Sequence, residues 1–263
     1  KLVIKMPDGV PPAVMESFAS LIPSAIAMTV FFVVGIIFDH TSFEYVHYFI
    51  YRVLQAPLVG LGRLSGFEVI YQFLSTLFWF FGINGPAVTN TIFSPIHKVL
   101  TVENYEAAQA GLEMTNIFTA GFSDFFCNFG GGGSTLGLVI MMAFLGKSNR
   151  MKTLGKLSLP AGIFGINEPL IFGLPIVLNP LMAIPFILAP VANTIIGYLA
   201  TVTGIMPITL GVQLPWTCPI IFSGFLVTGS FMGSVVQIVQ LAVDILIYYP
   251  FFKLLDKRYV DDE

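Results

Sequence analysis

The sequence predicts an all-α membrane protein with about five transmembrane helices, two re-entrant hairpins and one interfacial amphipathic helix. Three observations carry this. Charged residues make up 10% of the chain, against about 25% in ordinary soluble domains. Apolar residues make up 56%, with 26 phenylalanines in 263 residues and a mean hydropathy of +0.85. Long windows free of Asp, Glu, Lys and Arg are interrupted by Pro, Gly and Asn, which straight lipid-facing helix avoids. The formal net charge of -3 gives no argument for nucleic-acid binding. Cys127 and Cys218 sit in apolar sequence and read as buried thiols rather than a disulfide framework.

Taken in order, residues 17–38 carry no formal charge and are long enough to cross a bilayer. Residues 39–63 alternate aromatics with His40, Glu44, His47 and Arg52, the pattern of a helix lying at the interface. Residues 69–96 are again charge-free, but Gly82, Asn84, Gly85 and Pro86 break the second half, so this stretch reads as the first re-entrant hairpin. Residues 98–113 are polar and read as an exposed loop with a short helix. Residues 125–146 form the next predicted span. The loop 147–156 carries four basic residues and no acid, which places it and the charged C-terminus in the cytoplasm. Residues 157–180 form the second re-entrant hairpin, and 181–204 and 219–252 the last two spans. Prolines recur through "NEPLIFGLPIVLNPLMAIPFILAP" and "MPITLGVQLPWTCP", a load that argues for broken helix lining a cavity.

Glu168 is the one formal charge between Lys156 and Asp244. A carboxylate near mid-bilayer costs about 2.5–3.5 kcal/mol or more, which makes Glu168 a candidate functional group; the plainer alternative is a carboxylate at the interface beside Lys156. It sits between Asn167 and Pro169, where a half-helix starts and its backbone amides are free for ligand oxygens. The stretch "FGINEP" nearly repeats "FGINGP" at residues 81–86. Asn84, with Gly85 beside it, and Asn167 therefore occupy matching helix breaks, where an amide can both donate to and accept from sugar hydroxyls or can simply cap a helix. Trp216, flanked by Gln213 and Thr217, offers a stacking face for a sugar ring, or else belongs to an interfacial aromatic belt, as Trp79 does equally well. "GGGGST", residues 130–135, lacks the lysine of a phosphate-binding loop and permits close backbone packing or ligand approach, with Gly132 and Ser134 as candidate contacts. No metal site or cofactor is expected, since no histidine pairs as a ligand.

At "GINEPLIFGLPIVLNP" and "QLPWTCPIIFSGF" the sequence resembles the membrane-embedded IIC subunits of the lactose/cellobiose/diacetylchitobiose branch of the bacterial sugar phosphotransferase system. The resemblance covers nearly the whole chain. Family members are longer, which implies that this chain is the C-terminal, substrate-binding portion. The resemblance implies a disaccharide substrate, IIB and IIA partner subunits, a bacterial cell membrane and a homodimer in the full-length protein. Glu168 then falls on the family's essential glutamate, beside the sugar hydroxyl to be phosphorylated, and Trp216 on its stacking tryptophan. The family keeps a histidine where this chain has Asn84, and Asn cannot take up a proton at neutral pH.

Two other classes stay open at this stage. An ion- or proton-coupled sugar transporter with Glu168 as the coupling site explains the broken helices equally well. An intramembrane protease needs paired aspartates or a nucleophile with its base, and the apolar stretches offer one carboxylate, Glu168.

Overall fold

The computed structural model describes residues 7, 12–49, 53 and 56–262, and these fall into two compact units, 1–57 and 58–263. Among the described residues every regular element is a helix. Among these residues, three helices are long and apolar enough to cross a membrane, at Val14–Asp39, Pro180–Val202 and Phe231–Asp262, with shorter apolar helices at Phe67–Phe80 and Leu136–Leu145.

The first unit holds α1 (Pro12–Asp39) and α2 (Val46–Phe49). α1 runs through Pro23 and keeps large apolar side chains such as Phe31 and Phe32 exposed along its length. The interfacial helix expected over 39–63 falls in part outside the described residues. What is described there is not one helix: residues 40–45 turn, with Glu44 in the left-handed region, before the single turn of α2. Phe49 packs against Phe38 and Phe43 at ring-centroid distances of 5.4 and 5.1 Å.

After α3 (Ala56–Gly62), the second unit is built from α4 (Phe67–Phe80), α5 (Gly85–Gln109), α6 (Ala120–Phe126), α7 (Leu136–Leu145), α8 (Asn149–Ile163), α9 (Glu168–Gly173), α10 (Pro180–Val202), α11 (Phe222–Thr228) and α12 (Phe231–Asp262). α12 packs on α7, α10 and α11, and α10 also packs on α4. Two apolar clusters result. One joins Trp79, Met142, Leu170, Phe186 and Tyr248 with their neighbours, and the other joins Leu100, Phe122, Phe126 and Val236.

Several boundaries differ from the sequence-based expectation, each for a local reason. The 125–146 span is two helices, because Gly130, Gly131, Gly133 and Ser134 all take positive φ and no α-helix can run through them. The 219–252 span is likewise split: Gly229, at φ 65°, ends α11 before α12 starts. Residues 98–109, expected as loop, continue α5, because Leu100, Thr101 and Asn104 provide a buried face despite the polar residues between them. α10 passes unbroken through Pro185 and Pro190, both buried; prolines are tolerated in membrane helices where neighbours satisfy the freed backbone.

The break after α4 is fixed by a close approach. A Cβ on Gly85 would lie 1.8 Å from the Ser75 carbonyl oxygen, a backbone atom of α4 that cannot step aside. Gly85→Ala therefore pushes α5 away from α4. Overpacking of this kind costs about 1–3 kcal/mol or more, which thermal unfolding of the purified protein in detergent will show as a lower midpoint.

Candidate functional site

The irregular segment between α6 and α7 is the centre of the second unit, because buried side chains from several helices hold its backbone. Gln237 donates to the Phe125 carbonyl at 2.7 Å, Gln240 to Phe126 at 2.8 Å and Tyr248 to Gly133 at 2.6 Å. These residues, with Asp244, recur along α12 at spacings that place them on one helix face. Asp244 accepts from the Ser134 hydroxyl at 2.6 Å and from the Asn193 amide of α10 at 3.0 Å. Asn167, from the break before α9, donates to the Gly132 carbonyl at 2.7 Å and to the Thr135 hydroxyl at 3.1 Å. Glycines make these approaches possible: a Cβ on Gly131 would meet the Asn167 side chain at 2.6 Å, and one on Gly133 would meet the Phe186 ring at 2.2 Å.

On one side of this segment lies a small cavity. Asp124, Asn128, Gly130, Gly165, Trp216 and Ser223 are among the residues that line it. Trp216 is 61% exposed and lies over Gly165, where an added Cβ would touch its ring at 3.7 Å. An accessible indole thus lines one small cavity together with a carboxylate, Asp124, and an amide, Asn128.

The predicted site residues separate into groups. Trp216 joins the cavity, and Asn167 ties its own helix break to the adjoining segment. Glu168 is exposed in the first turn of α9, three residues beyond Gly165 in the cavity wall. Asn84 is exposed at the other break, where its side-chain oxygen caps α5 by accepting from the Ala87 amide at 3.1 Å. That tip meets the stretch after α9, since the Leu178 amide donates to the Phe80 carbonyl at 2.9 Å. Gln213 is exposed and Thr217 half-buried, and neither lines the cavity.

Four readings change. Ser134 turns inward: its hydroxyl is fully buried and serves Asp244, Asn193 and the Phe129 amide. Gly132 is packed beneath Trp79, whose indole nitrogen would lie 2.9 Å from an added Cβ, so its alpha carbon faces the core. Trp79 is accordingly a core residue, 8% exposed, and not part of an interfacial belt. Cys218, expected to be buried, is half-buried and lines the cavity.

The sequence reading also missed three acids. Glu68 and Asp244 are both fully buried, and Asp124 lines the cavity, so Glu168 is not the one carboxylate among the apolar helices. Glu68 pairs with His97 at 2.7 Å. Asp124 and Glu68 sit just outside charge-free windows, and Asp244 falls inside the predicted 219–252 span, where its isolation was the available signal. Among the described residues no cluster of His, Cys, Asp and Glu could hold a metal ion.

A profile of the family described as Phosphotransferase system, EIIC, matches residues 1–190. The oligo-beta-mannoside-specific EIIC component of Bacillus subtilis is 43% identical over 97% of this chain and 58% of its own length. The cellobiose-specific EIIC component of Geobacillus stearothermophilus is 42% identical over the whole chain and 59% of its own length. The crystal structure of the transporter ChbC, the IIC component from the N,N'-diacetylchitobiose-specific phosphotransferase system, superposes with a TM-score of 0.80 at 42% identity, over 99% of this chain and 60% of that one. The chain thus spans rather more than half the length of the relatives it matches. It belongs to the EIIC family of the phosphotransferase system.

Proposed function

We propose that this chain is the substrate-binding part of a sugar permease that imports a disaccharide and presents its C6 hydroxyl to a phosphorylated IIB partner. The observation that carries the reading is that exposed Trp216 lines one cavity with Asp124 and Asn128, next to the helix break that bears Glu168. Sugars with an apolar ring face and hydroxyls at the edge fit this chemistry, and the relatives are named for an oligo-beta-mannoside, cellobiose and N,N'-diacetylchitobiose.

In this reading the pyranose stacks on Trp216 while its hydroxyls bond the opposite wall. Asn167, pinned to Gly132 and Thr135, fixes the start of α9. Glu168 follows it directly and serves as the general base that orients and deprotonates the attacking hydroxyl. Phosphoryl transfer depends mainly on positioning, so the membrane part supplies geometry while the partner supplies the phosphoryl group. The charged product does not recross the membrane, which makes uptake directional. The basic stretch 147–156, expected as a loop, is for the most part the start of α8, and its first residues lie against α12, since Asp256 accepts from the Lys147 and Ser148 amides at 2.9–3.0 Å. We assign this end to the cytoplasm, where IIB docks, on the excess of Lys and Arg in that stretch.

Vesicles carrying the intact permease test the reading. Accumulation of sugar phosphate that requires phosphoenolpyruvate and the IIA and IIB subunits supports it. Accumulation of free sugar driven by a proton gradient without them sinks it. Within this scheme Trp216→Ala should raise the sugar Kd roughly tenfold, about 1.4 kcal/mol, by loss of the stacking face. Equilibrium binding by calorimetry checks this.

A further inference from the structure

A run of buried polar side chains links α5 to the cavity wall. His97 Nε2 lies 2.7 Å from one Glu68 carboxylate oxygen. The other accepts from the Ser123 hydroxyl at 2.6 Å and from the Gln72 amide at 2.7 Å. The Gln72 oxygen in turn accepts from the Asn128 amide at 2.6 Å, and the Asn128 oxygen accepts from the Gly133 backbone at 3.2 Å. Glu68, Gln72, His97 and Ser123 are all buried. Asn128 is half-buried, and it is the member that lines the cavity, as Trp216 does.

The direction of this run has a chemical cause. A carboxylate can only accept, so Gln72 must turn its NH2 toward Glu68. Its oxygen is then the end left for Asn128, which must present its own NH2 there. The Asn128 oxygen consequently points the other way, toward Gly133. What remains for a ligand is one Nδ2 hydrogen and one Oδ1 lone pair, in a fixed arrangement. An unbuttressed Asn could exchange the two ends of its amide and read a hydroxyl's lone pair or its hydrogen indifferently.

We propose that Glu68, held by His97, is a positioning residue for sugar specificity, which acts through Gln72 to fix the donor and acceptor ends of the Asn128 amide at the cavity. The proposal rests on the sugar-binding reading above. It assigns a task to a buried Glu68–His97 hydrogen bond that the transport scheme does not otherwise use.

The test is the ratio of Kd values for cellobiose and lactose, which differ in the configuration of one hydroxyl, measured by calorimetry on the intact protein. Glu68→Gln gives position 68 a donor, which removes the requirement that Gln72 turn its NH2 there and leaves the 3.2 Å bond from the Gly133 amide as the remaining hold on Asn128. We expect the ratio to change roughly tenfold, about 1.4 kcal/mol, while the thermal midpoint stays close to that of the wild type. Asn128→Ala should change the ratio as well, and Glu68→Gln added to it should change it no further, because two residues acting through one contact are not additive. Should Glu68→Gln fail to fold, Gln72→Leu carries the same test, since it removes the connector and leaves the Glu68–His97 pair in place. An unchanged ratio in Glu68→Gln or Gln72→Leu, or effects that simply add to those of Asn128→Ala, overturns the positioning role and leaves the transport reading standing. A wild-type protein that binds none of cellobiose, lactose, N,N'-diacetylchitobiose and a beta-mannobiose overturns both.

Discussion

Glu168→Gln is expected to lower the rate of sugar phosphorylation by roughly 10²–10⁴-fold, the usual contribution of a general base, while sugar binding persists. The amide keeps the size of the carboxylate and can still bond a hydroxyl, but it cannot take the proton. The exposed position of Glu168 at the start of α9 means that the substitution breaks no buried network, so the fold should survive it. Two measurements on the same preparation check this: phosphoenolpyruvate-dependent formation of sugar phosphate with the partner subunits, and equilibrium sugar binding. A wild-type rate of phosphorylation would remove Glu168 from the mechanism. Unaltered catalysis with lost binding would make it a ligand-positioning group only.

The second large effect concerns stability. Asp244→Ala removes the acceptor of the fully buried Ser134 hydroxyl and one of the acceptors of the Asn193 amide, which keeps the Cys127 carbonyl and the Ser134 oxygen. A buried donor left without a partner costs about 1–3 kcal/mol. The loss falls on the segment that Gln237, Gln240 and Tyr248 also hold, so the cavity wall loosens along with the α10–α12 contact. Thermal unfolding in detergent should show a clear drop for Asp244→Ala. Asp244→Asn keeps an oxygen acceptor at the same place and should cost far less. Equal losses for the two variants would mean that the charge, and not the acceptor, is what the site needs.

Much of this molecule is legible in its residue pattern. Charge-free windows locate the apolar helices, because lipid and a helix-packed interior both exclude unpaired charge. "FGINGP" and "FGINEP" mark two helix breaks, because Gly and Pro act on the chain locally, and Trp216, set between prolines, is an exposed aromatic. The glycine run at 130–133 pointed to close packing, and the positive φ angles with the near contacts of Gly131 and Gly133 are that packing.

What the sequence could not supply is which element lies across from which. Glu68 is one residue outside a charge-free window and reads as a boundary charge. Only the folded chain places it 2.7 Å from His97, 29 residues away, and in contact with Ser123, 55 residues away. The two near-identical breaks make the same point. Asn84 and Asn167 hold the same place in the repeat, yet Asn84 caps its own helix while Asn167 reaches across to Gly132 and Thr135. The sequence by itself determined an all-helical membrane chain, the places where its helices break, and the residue types found there. The tertiary structure decided which of those residues meet the cavity and which serve the core. Helix breaks follow from local backbone sterics, whereas the partner of a polar side chain is set by whatever distant segment the packing brings beside it.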